Sequence, residues 1–177
     1  MKKKTLALVL ALTLLVAGVV GGTLAWLTDR TAEVKNTFTV GDINIGLTET
    51  TADYKMVPGN TIAKDPTVTV KANSEACWLF VQVTESTDLK DFITYAIAEG
   101  WTALPGVDGV YYREVPASAA DQTFSVLAGD AVTVKSDVTR TMLETAKTDA
   151  PTLTFKAYAI QRDHFATADA AWAEVSK

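Results

Sequence analysis

The sequence predicts an all-β fold: an antiparallel two-sheet sandwich with one or two short helices, of jelly-roll or immunoglobulin-like type. Three observations carry this. Apolar and polar residues alternate with period two through much of the chain beyond Asp29, the signature of half-buried strands. Pro, Gly, Asn and Asp interrupt that alternation at short intervals, which leaves room for roughly eight to ten short strands. One segment, "CWLFVQV" (Cys77–Val83), is apolar on both faces, as expected of a central strand covered on both sides.

The elements follow in order. Lys2, Lys3 and Lys4 precede the uncharged run from Thr5 to Leu27, which reads as a secretory signal, residues 1–25. The run is also long enough to span a bilayer, at roughly 20 residues, so an uncleaved anchor is the alternative. Gly21-Gly22 weakens the helix where a peptidase needs extended chain. Thr23 and Ala25 place small side chains at the −3 and −1 positions of a cut that leaves Trp26 as the new N-terminus. Residues 26–177 then form one domain, opened by an extended strand over about 26–40 in which Ala32, Val34, Asn36, Phe38 and Val40 alternate with polar partners.

Ile43, Ile45 and Leu47 continue the alternation, and "VPGN" (Val57–Asn60) fits a type II turn, with Pro at its second position and Gly at its third. Pro66 can stand only at the start or edge of a strand, so "TVTV" behind it begins one, with Val68 and Val70 facing alike. "DLKDFITYAIAEG" suggests a helical turn leading into a strand, and Asp108-Gly109 between valines signals a short hairpin. "FSVLAGDAVTVK" gives two strands around Gly129-Asp130. "SDVTRTMLETA" places Val138, Met142 and Ala146 on one helix face. "PTLTFKAYAIQ" is the last strand, with Leu153, Phe155, Ala157 and Ala159 on one face. The tail carries Phe165, Ala168, Trp172 and Val175 at helical spacing behind Thr167 as N-cap.

Charge bounds the partners. The net charge is −5, and removing the three lysines of the leader leaves −8 on residues 26–177, with no basic cluster after Lys4. Nucleic acid is therefore not expected as a partner. The single cysteine, Cys77, excludes an internal disulfide and reads as a buried small hydrophobe. The single histidine, His164, leaves no His-Glu-x-x-His zinc pair and no Gly-x-Ser-x-Gly nucleophile elbow for it to serve. Asp42, Glu49 and Asp53, or Asp88 and Asp91, are oxygen donors without EF-hand spacing and read as solvated turn charges. "LPGVD" at Leu104 is only superficially similar to a wall-sorting signal, being internal with no hydrophobic tail. No catalytic residue, cofactor or metal site is expected.

Taken together, "GGTLAWLTD" (Gly21–Asp29), "NTFTVGDINIGLTE" (Asn36–Glu49), "VPGNTIAKDPTVTV" (Val57–Val70), "SEACWLFVQV" (Ser74–Val83) and "LTFKAYAIQ" (Leu153–Gln161) resemble the TasA/camelysin group of secreted Gram-positive proteins, exported through a dedicated signal peptidase of the SipW type. The resemblance spans nearly the whole chain. It implies a jelly-roll-like sandwich, secretion to the matrix or cell surface, and polymerisation into biofilm fibres by donation of an N-terminal strand to the next subunit. Its partners would be further copies of the chain, the peptidase and, in some settings, a co-secreted matrix protein. The donated strand would carry Ala32, Val34, Phe38 and Val40. Alternatives are a binding or adhesion module held at the cell surface by an uncleaved N-terminal helix, and a camelysin-like metalloprotease, for which His164 is the sole ligand candidate.

Overall fold

The computed structural model describes residues 42–50 and 55–177. The proposed leader, its cut at Thr23, Ala25 and Trp26, the strand 26–40 and Asp53 lie outside these residues. Within them the protein is an all-β sandwich: ten strands in three antiparallel sheets, with three short helices.

The first sheet has the order β1 (Ile45–Thr48), β3 (Thr67–Val70), β8 (Gln122–Ser125). The second has the order β10 (Leu153–Gln161), β4 (Cys77–Glu85), β7 (Val110–Val115), β6 (Thr102–Ala103). They close on one apolar core. Val68, Val70 and Val126 meet Cys77, Leu79, Val81, Val83 and Val115, each less than a tenth exposed. Pro66 immediately precedes β3, where its missing N–H costs no ladder bond. The turn at Val57–Asn60 is closed by the Asn60 N–H donating to the Val57 carbonyl at 3.0 Å, with Gly59 at φ +79° as a type II turn requires.

Strand β4 is covered on both sides, as its residue pattern predicts. Its outer face carries Trp78 and Phe80 beneath α3 (Ala168–Val175), whose Ala168, Ala171 and Trp172 complete a second apolar cluster. The Trp172 ring lies 5.3 Å from Phe80 and 5.2 Å from Tyr158, centroid to centroid. Thr167 caps this helix, its hydroxyl accepting from the Ala170 N–H at 3.3 Å. The Trp78 indole donates to the Phe165 carbonyl at 3.1 Å, which fixes the chain's turn from β10 into α3.

The third sheet was not foreseen as a separate unit. It has the order β2 (Thr61–Ala63), β9 (Ala131–Val134), β5 (Ile93–Thr94), strands of two to four residues that are too short to show a period. With α1 (Leu89–Phe92) and α2 (Arg140–Ala146) it encloses Leu89, Phe92, Ile93, Val132, Val134, Val138 and Ala146. Strands β8 and β9, adjacent in sequence, thus belong to different sheets. Val126 and Leu127, both wholly buried, carry the chain from one to the other.

The hairpin at Asp108-Gly109 also differs in form. Strands β6 and β7 are joined by residues 104–109 rather than by a two-residue turn. The Leu104 N–H closes the loop on the Val110 carbonyl at 2.9 Å. Gly109 is needed for a second reason besides its φ of +72°: a Cβ there would lie 2.4 Å from the Val83 carbonyl oxygen. Its own carbonyl accepts from the Val83 N–H at 2.7 Å, so the loop is bonded to the end of β4.

Candidate functional site

Among the described residues, the ligand and catalytic candidates weighed from the sequence do not assemble into a centre. His164 sits exposed on the single 3₁₀ turn that follows β10. Asp88 accepts from the Ser86 hydroxyl at 3.1 Å, a local turn contact. Glu49 pairs with the buried Lys64 at 2.6 Å, and the same ammonium lies 5.5 Å above the Phe155 ring. Among the described residues no group of three His, Cys, Asp or Glu side chains could hold a metal ion. Cys77 is wholly buried on the inner face of β4, and that burial pushes its thiol up to about 11, where little thiolate exists at neutral pH.

What the fold does present is a strand edge. Strand β10 pairs with β4 in unbroken register over nine residues, from Leu153 opposite Glu85 to Gln161 opposite Cys77. Among the described residues its other side pairs with no strand. The edge contains no proline or bulge, and its outward face carries one charge, Lys156. Sheet edges are usually blunted by several such devices, because a bare row of N–H and C=O groups is a template for another chain.

Across the sandwich from β10 stands β1, the edge strand of the first sheet, which pairs only with β3 among the described residues. Ile43 and Ile45 reach the shared core, as the alternation predicts. Leu47, on the same face, is 38 % exposed, because the core beneath it opens into a groove of about 300 Å³. Leu47, Glu49 and Pro66 line one wall, Leu153 and Phe155 the other. Inner-face side chains therefore end in a groove of mixed character, with Thr48, Glu49 and Thr154 beside Leu47, Leu153 and Phe155, next to a backbone edge that pairs with no further strand among the described residues. The sequence placed these side chains on the correct face but gave no sign that the two sheet edges would part there.

One inward charge, Arg113, is not foreseen by the alternation. Arg113 shares the inner face of β7 with Val115, its guanidinium 3.9 Å from the Phe124 ring centroid and 5.3 Å from that of Trp101. Its Nε is buried without a hydrogen bond, and desolvation lowers its pKa from the usual guanidinium value. Two aromatic faces let a cation occupy a strand position that alternation assigns to an apolar residue.

Among the described residues no helix is long and apolar enough to cross a membrane. No family model matches the chain, and neither a curated protein nor a solved structure matches it.

Proposed function

We propose that this protein is a secreted structural subunit that polymerises by giving residues 26–40 of one copy to the sandwich of the next. The observation that carries the reading is the nine-residue edge of β10, which among the described residues pairs with no strand beyond β4, beside the Leu47–Phe155 groove. The alternating segment 32–40 is itself nine residues long, and at about 3.3 Å per residue it matches β10 in length. Laid along that edge, it gains ladder hydrogen bonds, and its alternate side chains enter the groove. A donor at one end of a subunit and an acceptor elsewhere on it make a heterologous contact, which extends into a filament rather than closing.

Secretion, with cleavage after Ala25, is part of the same reading, because only a freed N-terminus can reach another subunit. The resemblance to the TasA/camelysin group supports it independently of the geometry. No catalytic role is assigned. The test uses the processed chain from Trp26 onward: fibres under negative stain are the expected result. A synthetic peptide of residues 26–40 in excess should cap growing ends, and Leu47→Glu should weaken assembly by placing a charge in the groove. Fibres unaffected by either would remove the strand-donation mechanism.

A further inference from the structure

Across β4 from the β10 edge lies a cleft that strand donation does not use. It consists of two adjoining hollows, of about 400 and 510 Å³, which share Glu85, Tyr95 and Tyr111. Each is within the roughly 300–1,000 Å³ typical of small-ligand sites. Its walls are the end of β4, α1 with β5 and the segment following it, Lys135 just after β9, and the start of β7 where Gly109 binds back to Val83.

Its chemistry is specific in kind. Tyr95 and Tyr111 are half-buried, so their rings are held by the core while part of each faces the cleft. The Tyr95 hydroxyl donates to the Glu85 carboxylate. Burial first, and that carboxylate second, raise the Tyr95 pKa, so the phenol stays protonated and remains a donor. The Gln82 amide is turned to the opposite face of β4, where its oxygen accepts from the Tyr158 hydroxyl at 3.2 Å, so Glu85 is the polar side chain that β4 gives the cleft. The charged residues cancel: Glu85 and Asp108 against Lys90 and Lys135, in a chain that is otherwise acidic.

We infer that this cleft binds a neutral oligosaccharide. Aromatic rings suit the apolar C–H face of a pyranose ring, and phenol, carboxylate and ammonium groups suit paired hydroxyls. The balanced rim has no field to attract a polyanion such as nucleic acid, and a wholly apolar ligand would strand the rim's polar groups. The tyrosines and Glu85 are already held in place, so little side-chain freedom is lost on binding. For a matrix subunit this would join protein and polysaccharide, but the inference does not rest on assembly, since every residue it uses lies within one copy.

The test is titration calorimetry and saturation-transfer NMR on the purified full chain, kept soluble without sugar-based detergent. The probes are cello-, chito-, malto- and galacto-oligosaccharides of six units at millimolar concentration, with duplex DNA and hyaluronan as polyanions. At least one neutral oligosaccharide should bind, and Tyr111→Ala should weaken it by roughly tenfold. Glu85→Gln, which keeps size and removes charge, should weaken the same ligand with an unchanged melting temperature, separating loss of the site from loss of fold. The inference is overturned if no neutral probe binds, if both variants bind like the parent, or if only the polyanions bind.

Discussion

Replacing Gly109 with alanine separates two costs that a glycine can hide. At φ +72° an L side chain is disfavoured by about 1–2 kcal/mol. In addition, the new Cβ would sit 2.4 Å from the Val83 carbonyl oxygen, so the loop must move away from β4. Moving it stretches the 2.7 Å bond from the Val83 N–H to the Gly109 carbonyl, a loss of about 0.5–1.5 kcal/mol. Accommodating the overlap adds about 1–3 kcal/mol. Gly59 is the matched control: its φ is +79°, yet nothing lies within 4 Å of its Cβ position. Gly59→Ala should therefore cost about 1–2 kcal/mol, and Gly109→Ala about 3–6 kcal/mol. Any gain from stiffening the unfolded chain applies equally to both. Urea denaturation followed by tryptophan fluorescence measures the pair. Equal destabilisation by the two substitutions would refute the close approach of the loop to β4.

Other consequences can be checked as readily. Trp172→Ala should cost about 3–5 kcal/mol, because its ring joins α3 to Phe80 and Tyr158; a loss below 1 kcal/mol would mean that the helix is not part of the core. Native protein should leave Cys77 unlabelled by a thiol reagent at neutral pH, with full labelling in denaturant; fast native labelling would contradict its burial. Two carboxyls are held below the usual range, Asp121 by the Ala72 N–H and then Lys71, Asp65 by the Thr50 hydroxyl and backbone. Because their folded pKa values are depressed, the stability they contribute is complete above the unfolded value near about pH 4 and is lost as pH falls through the lower folded values. Melting temperature should fall below about pH 4, and Asp121→Asn should make that fall shallower; an unchanged acid profile in the variant would discount this residue.

Much of the fold was legible because burial imposes residue type. "CWLFVQV" could be read as two-sided because apolar residues occupy both of its faces, with Gln82 the one polar side chain, satisfied by the Tyr158 hydroxyl. Thr167 could be read as a cap because its hydroxyl satisfies an N–H that helix geometry leaves open. Pro66 marked the start of β3 through the donor it lacks. Sheet membership was not legible. Nothing local to "FSVLAGDAVTVK" distinguishes a hairpin from a chain that leaves one sheet for another at Val126 and Leu127, because both bury the same residues. Arg113 was hidden for a related reason: alternation sees a charge, whereas the two rings that shelter it come from Trp101 and Phe124, distant in sequence from each other. The groove escaped for the opposite reason, since Leu47 and Phe155 look like core residues and only the parting of β1 from β10 exposes them. The tyrosine cleft likewise needs β4, β7 and the segment after β5 brought together, a juxtaposition beyond any single window of sequence.

The central claim is that an N-terminal strand joins one copy to the next, and deleting that strand tests it most directly. Negative-stain microscopy of the chain from residue 26 should show fibres. The chain from residue 41 should remain monomeric, with the same melting transition for the sandwich. Fibres of the same form from the shortened chain would contradict the claim.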